Sequence, residues 1–135
     1  MSRKMFAAAV TVLGMLGAGM PISAHHSRSA VFDATKPVEV QGVLVEIRLE
    51  NPHSWFYVDV TEPDGKVVRW GFEASTPTSL IRSGYKPGSL KVGDYVTVKG
   101  VRARDLTKFV AAPRSITLKD GRSFIVGPAG LDDPR

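Results

Sequence analysis

The sequence VEVQGVLVEIRL, residues 38–49, decides the fold of this chain. Apolar and polar residues alternate along it, which is the pattern of a β-strand with one face in a core. The alternation changes phase at Gly42, because the valines before and after this glycine fall on opposite parities. A glycine at a phase change is typical of a bulge or a sharp bend. The pattern therefore predicts a long first strand that bends at Gly42.

Further β-rich stretches follow this strand, each bounded by turn residues. The turn Pro63-Asp64-Gly65 separates the first two stretches and predicts a hairpin. Gly100 indicates a second glycine bend, and Asp120-Gly121 predicts a turn into a short extension at 124–126. The four stretches are residues 54–60, 66–73, 92–100 and 109–118.

A short helix is predicted between the third and fourth strands. Ser75 or Thr76 can cap its start, and Pro77 suits the first helical position. Gly84 ends it after a turn or two. This order of elements is that of an OB-type barrel, with an open β-sandwich as the alternative. We therefore expect a mainly β fold, a small five-stranded OB-like barrel with one short helix between the third and fourth strands, formed by residues 36–126.

The N-terminal residues have the layout of a secretory signal peptide. A basic start at residues 2–4 precedes an apolar stretch at 5–20, and Ala24 offers a small residue for cleavage. The apolar stretch is shorter than the roughly 20 residues that span a bilayer. The expected location is therefore periplasmic or secreted, without a stable membrane anchor after cleavage. The predicted segments outside the barrel are a signal peptide at 1–24, a mature N-terminal leader at 25–35 and a flexible tail at 127–135.

Composition excludes several classes of function. The chain has 135 residues and no cysteine, which rules out a disulfide framework, a thiolate nucleophile and a Cys-based zinc site. The signal peptide carries two of the 18 basic residues and none of the 13 acidic ones, so 16 basic and 13 acidic residues remain, a net charge of +3. Because this charge is modest and the chain is predicted to be exported, we expect no nucleic acid partner.

Three histidines remain after cleavage, and two of them open the mature chain. A chain that begins at His25 has an α-amine and an imidazole on one residue, and Cu(II) prefers such nitrogen donors. His53 would supply a third nitrogen if it folds close to the mature N-terminus. Alternatively, His26 binds copper together with the terminal amine and the intervening amide. His25, His26 and His53 are thus the candidate ligands of a copper(II) cofactor, and a polar leader that binds no metal is the alternative.

The second and third predicted strands combine aromatic residues with arginines. Phe56 and Val58 share the parity that suits the core, which leaves Trp55 and Tyr57 on the other face. In an OB-type barrel this face binds oligonucleotides or oligosaccharides. A ligand held here would be an envelope glycan, a peptide or a partner protein, and the alternative is that the rings only close the barrel. The candidate ligand-binding residues are Trp55, Tyr57, Trp70, Arg48 and Arg69.

No group of side chains in the sequence is typical of an active site. The nearest one is His53, Ser54 and Asp59, but Ser54 and Asp59 fall on opposite parities and no nucleophile elbow precedes the serine. We therefore expect a binding protein that is not an enzyme. Copper(II) binding by the mature N-terminus is the leading hypothesis, and an envelope ligand-binding module is the second.

Several short motifs stand together in the mature chain. They are His25-His26-Ser27, Asn51-Pro52-His53 with Trp55, Trp70-Gly71-Phe72-Glu73 and Leu90-Lys91-Val92-Gly93-Asp94. As a set, they resemble a family of small exported bacterial proteins catalogued as a domain of unknown function, and the resemblance covers nearly the whole mature chain. It implies an exported β-barrel domain without an assigned activity. A more distant likeness to periplasmic OB-fold stress proteins extends only to architecture.

Overall fold

The β-rich stretches form strands in a computed structural model, which describes residues 27–128 of the chain. The predicted signal peptide at 1–24, His25, His26 and residues 129–135 of the predicted tail lie outside the described residues. Between residues 27 and 128, no helix is long and apolar enough to span a bilayer. The elements are α1 (Arg28–Val31), β1 (Phe32–Arg48), β2 (Trp55–Thr61), β3 (Val67–Glu73), α2 (Pro77–Arg82), β4 (Tyr95–Ala103), β5 (Val110–Leu118) and β6 (Ser123–Ile125).

The strands form one sheet that closes on itself. Neighbours in the order β3, β2, β1, β4, β5, β6 pair antiparallel. β3 and β5 also pair, in parallel, where Gly71 lies opposite Val110 and Phe72 lies opposite Ala111. This pairing closes a ring of five strands and leaves β6 outside the ring, on β5. The mainly β fold, the five-stranded OB-like barrel and the short helix between the third and fourth strands are confirmed.

The first strand is longer than its alternation predicts. β1 has 17 residues and begins at Phe32, inside the segment that the sequence assigned to the leader. Phe32 is 4% exposed and packs in a second small core with residues of β4 and β5. Residues 33–37, DATKP, have no apolar alternation, so the sequence pattern could not show that the strand continues through them.

The bulge in β1 does not lie at Gly42. The register against β2 shifts between Leu44 and Glu46, so the bulge that a phase change at Gly42 indicates lies a few residues further along the strand. Gly42 marks a close approach of two strands instead, because a Cβ there would lie 2.2 Å from the backbone oxygen of Asp59. At the second glycine where a bend is predicted, Gly100, the register between β4 and β5 shifts, between Lys99 and Gly100.

The core is filled by inward residues of the strands and by α2. Phe56 and Val58 of β2 are fully buried, as their parity predicts. The hydroxyl oxygen of Thr76 accepts a hydrogen bond from the backbone N–H of Ser79 at 3.2 Å, which caps α2 at the predicted position. Leu80 of this helix is fully buried in the same core. The inner face of the β2–β3 hairpin is therefore packed in the core, and its outward side chains lie on the opposite face.

Candidate functional site

His53 meets Glu73 at one end of the β2–β3 hairpin. Trp55 and Glu73 are directly opposite each other in the hairpin register, which brings the chain just before β2 next to the end of β3. His53 Nδ1 lies 2.8 Å from Glu73 Oε1. The histidine side chain is 34% exposed and the glutamate side chain is 17% exposed. The pair is thus partly shielded from water, and one side of the imidazole remains accessible.

Arg28 attaches the N-terminal segment to the same glutamate. Its Nη2 donates a hydrogen bond to the backbone oxygen of Glu73 at 2.8 Å, and its Nη1 lies 3.7 Å from Glu73 Oε1. The guanidinium also sits 5.3 Å from the centre of the Phe32 ring. Burial lowers the pKa of the Arg28 guanidinium, and the Glu73 carboxylate opposes that shift. Arg28 therefore holds α1 against the end of β3.

Arg104 holds this segment from the other side. Its Nε donates a hydrogen bond to the backbone oxygen of Ser29 at 2.8 Å, and its backbone N–H donates to Val31 at 2.8 Å. The Arg104 guanidinium also pairs with Asp33 at 3.6 Å. We call Arg28 and Arg104 together the N-terminal clamp. The clamp fixes the chain at residues 28–33, only two residues after His26.

The described part of the chain holds no complete metal site. Among residues 27–128, no group of three or more His, Asp or Glu side chains is arranged to bind a metal ion. His53 is present with Glu73 beside it, while His25 and His26 lie outside the described residues. A metal held at His53 by three or more such side chains would therefore need donors from outside residues 27–128.

Trp55 and Tyr57 lie on the outer face of the hairpin. Their rings are stacked, with centroids 5.9 Å apart and planes 13° from parallel. Gly71 lies opposite Tyr57 on β3 and leaves the space that both rings use. A Cβ at Gly71 would be 3.3 Å from Tyr57 Cε1 and 3.4 Å from Trp55 Cζ3. The outer pair, as we call Trp55 and Tyr57, is thus accommodated by a glycine on the neighbouring strand.

The two candidate arginines on this face are both paired with carboxylates. The Arg48 guanidinium lies 5.2 Å from the Tyr57 ring centre, and its Nε is 2.5 Å from Glu46 Oε1. Arg69 makes a two-point hydrogen bond with Asp59, at 2.7 and 3.0 Å. These hydrogen bonds lower the pKa of Asp59 and raise the pKa of Arg69. Neither arginine is therefore an uncompensated positive charge.

Trp70 does not lie with the outer pair. It is 5% exposed and faces the core, because it shares the inward parity of β3 with Val68 and Phe72. Its ring stacks on Phe72 with centroids 6.1 Å apart and planes 15° from parallel, and Arg102 lies 5.1 Å from the ring centre. The grouping of Trp70 with the surface aromatic residues is thus corrected, because strand parity turns its ring inward.

A cleft that the sequence analysis missed lies beside Trp55. It has a volume of about 480 Å³ and runs between the end of the hairpin, α1 and the loop that joins β4 to β5. The position of that loop in an OB-type barrel was the one signal that could have indicated it. We call it the Trp55 cleft, and its lining residues are Ala30, Val31, Trp55, Glu73, Ala103, Arg104, Asp105, Lys108 and Val110.

Comparisons with known proteins agree with the resemblance found in the sequence. No curated protein and no solved structure matches this chain. One family matches residues 12–110, which include β1 to β4 and the motifs around His53 and Glu73. The chain therefore belongs to this family, a family of unknown function (DUF6152).

Proposed function

We propose that this protein is exported and binds copper(II) through the N-terminus of its mature form, with His25, His26 and His53 as the ligands. Export follows from the signal-peptide pattern at residues 1–24. The metal follows from the donors, because a terminal amine and imidazoles are nitrogen ligands that suit the tetragonal geometry of Cu(II). In such a protein, copper is bound for buffering, delivery or sensing.

The observation that carries this proposal is the N-terminal clamp. Arg28 is bound to Glu73, and Glu73 contacts His53, so Glu73 links the segment that follows His26 to the one histidine of the barrel. Two residues of chain span at most about 7 Å and three span about 10 Å. His26 and His25 are two and three residues before Arg28. Both therefore stay within about 10 Å of the Arg28 backbone, and the side chain of Arg28 contacts the glutamate that pairs with His53.

Glu73 supports His53 as a ligand. The carboxylate lies at Nδ1 of the imidazole, which leaves Nε2 as the nitrogen for a metal. A carboxylate at the second ring nitrogen is a common arrangement behind a metal-bound histidine, because it fixes the ring orientation and raises the basicity of the ligand. Two modes remain for the N-terminus: the amine and side chain of His25, or the amine, the intervening amide and the side chain of His26.

The test begins with the mature N-terminus, identified by intact-mass measurement of the protein recovered after export. Cu(II) is then titrated into that protein and into His25→Ala, His26→Ala and His53→Ala variants, against a chelator of known affinity. We expect His53→Ala and at least one N-terminal variant to weaken binding by about tenfold or more. The nitrogen hyperfine structure of the electron paramagnetic resonance spectrum should indicate fewer coordinated nitrogens in the same variants.

A matched control is a chain with three glycines added before His25, which keeps every side chain and moves the α-amine away from both N-terminal histidines. Binding by the amine and side chain of His25 requires that this extension weaken the affinity. If all three histidine variants bind Cu(II) as tightly as the parent protein, the proposal is wrong. It is also wrong if the mature protein starts elsewhere and binds Cu(II) only weakly.

A further inference from the structure

We propose that the Trp55 cleft is a binding site for an uncharged saccharide, with Trp55 as the surface on which a sugar ring stacks. This inference is independent of the metal, because it rests on the shape, the walls and the charge of the cleft. At about 480 Å³, the cleft falls within the range of small-molecule sites, roughly 300 to 1,000 Å³.

The walls of the cleft are largely apolar, and one of them is aromatic. Val31 and Val110 line it together with Trp55. Tyr57 stacks on Trp55 but does not line the cleft, so it supports the indole from outside the cleft. A pyranose ring has a face of C–H groups that packs on an indole, and a braced ring loses little conformational freedom when a ligand binds. Trp55 is thus a pre-organised stacking surface.

The charged groups at the rim on the β4–β5 loop neutralise one another. Lys108 Nζ lies 3.4 Å from Asp105 Oδ2, and Arg104 pairs with Asp33. Asp105 Oδ1 accepts hydrogen bonds from the backbone N–H and the hydroxyl of Thr107, at 3.1 and 2.6 Å. These bonds lower the pKa of Asp105, so the carboxylate stays ionised and fixed in direction.

The charge of Glu73, on the opposite rim, is compensated as well, because Arg28 contacts this residue without lining the cleft. The two acidic and two basic side chains that line the cleft therefore sum to a formal charge of zero. A charged ligand would find no uncompensated partner there. Hydroxyl groups, by contrast, can donate to the paired carboxylates and accept from the paired cations, which favours a neutral, hydroxyl-rich ligand over an anion.

The position of the cleft in the barrel agrees with this assignment. OB-type barrels bind oligosaccharides and oligonucleotides at the face of the second and third strands and the adjoining loops. A nucleic acid needs several uncompensated cations for its phosphates, and this cleft has none. A larger cleft, about 540 Å³, lies near Val38, Gly100 and Ile125, but no aromatic residue lines it. The saccharide is therefore assigned to the Trp55 cleft.

The experiment uses the mature protein freed of metal by a chelator. Cellobiose, maltose and N,N′-diacetylchitobiose are titrated in turn, with sodium phenylpropionate as the anionic probe. Binding is followed by the indole N–H signals in two-dimensional NMR, where a Trp55→Phe variant identifies the Trp55 signal. We expect at least one disaccharide to shift the Trp55 signal saturably. Trp55→Ala should weaken that binding by about tenfold or more, as measured by saturation transfer to the sugar.

Asp105→Asn and Glu39→Gln are a matched pair of carboxylate variants, because Glu39 lines the other, larger cleft. Disaccharide binding should weaken several-fold in Asp105→Asn and should be unchanged in Glu39→Gln. Three results would overturn the inference: no disaccharide binds at tens of millimolar, phenylpropionate binds more tightly than every disaccharide, or disaccharide binding is insensitive to Trp55→Ala. Because the protein is metal-free throughout, none of these results depends on copper.

Discussion

Two stacked aromatic pairs lie on opposite faces of the β2–β3 hairpin. The outer pair, Trp55 and Tyr57, has centroids 5.9 Å apart, and the inner pair, Trp70 and Phe72, has centroids 6.1 Å apart. Each pair also has an arginine near one ring, Arg48 at Tyr57 and Arg102 at Trp70. Their geometry is nearly the same, but the inner pair is buried in the core, whereas the outer pair is half-exposed. Face, and not residue type, therefore decides which pair is available to a ligand.

The largest contrast should appear in stability. Trp70→Ala empties a buried site in the core, so we expect the free energy of unfolding to fall by about 3–5 kcal/mol. Trp55→Ala removes a half-exposed ring and should cost about 1 kcal/mol. Urea unfolding followed by circular dichroism measures both values. Equal losses in the two variants would contradict the division into an inner and an outer pair.

Two glycine-to-alanine variants test the same division, because the added Cβ meets backbone in one variant and side chains of the outer pair in the other. A Cβ at Gly42 would lie 2.2 Å from the backbone oxygen of Asp59, which cannot move without shifting β2. We expect Gly42→Ala to lower the free energy of unfolding by about 1–3 kcal/mol or more.

Gly71→Ala is the matched control. The nearest atoms to its Cβ would belong to the rings of the outer pair, at 3.3 and 3.4 Å, and these rings can shift toward solvent. A smaller loss of stability than in Gly42→Ala is expected, with a larger shift of the indole N–H signal of Trp55 than of Trp70. A larger loss from Gly71→Ala would show that the outer pair is as rigidly packed as the inner one.

The next effect concerns the Cu(II) affinity, and it compares the N-terminal clamp with an arginine beside the outer pair. Arg28→Ala releases the N-terminal clamp from Glu73, so we expect the Cu(II) affinity to fall by about tenfold. Arg48→Ala is the control, because Arg48 is also paired with a glutamate near an aromatic ring but does not touch the N-terminal segment. The same chelator competition measures both. Equal Cu(II) affinities in Arg28→Ala and the parent protein would show that the clamp does not contribute to metal binding.

The smallest effect concerns the Asp59–Arg69 pair at the other end of the outer face. Arg69 lowers the pKa of Asp59 in the folded protein. The pair therefore stabilises the fold above the unfolded pKa of an aspartate, about 3.9, and this contribution is lost as the pH falls through the lower folded pKa. Asp59→Asn should thus lower the melting temperature slightly at pH 7, and the difference from the parent should vanish in acid. A difference that is the same at pH 7 and pH 2 would contradict this.

Much of the barrel could be predicted because it depends on local patterns. The hairpin turn at residues 63–65, the cap at Thr76 and the inward parity of Phe56 and Val58 each follow from a few neighbouring residues. The start of β1 could not be predicted in this way, because Phe32 is held by contacts with β4 and β5 that lie far along the chain. For the same reason, the alternation points to a bulge at Gly42, whereas the register shift lies between Leu44 and Glu46 and Gly42 marks the approach of β2.

The same distinction between local patterns and contacts distant in sequence applies to the candidate site. The sequence alone pointed to His53, Trp55 and Tyr57 as candidates, because residue type and parity are local properties. It could not show that Arg28 binds Glu73, 45 residues away, or that the β4–β5 loop completes a neutral cleft beside Trp55.

Local sequence determined the strands, the helix cap and the face of each β2 side chain, since backbone dihedral preferences and a period of two act over a few residues. Only the tertiary structure decided the ring closure between β3 and β5, the N-terminal clamp and the Trp55 cleft. Each of these joins segments that are distant in sequence. Their contacts depend on strand register and packing, which are set by the whole barrel at once.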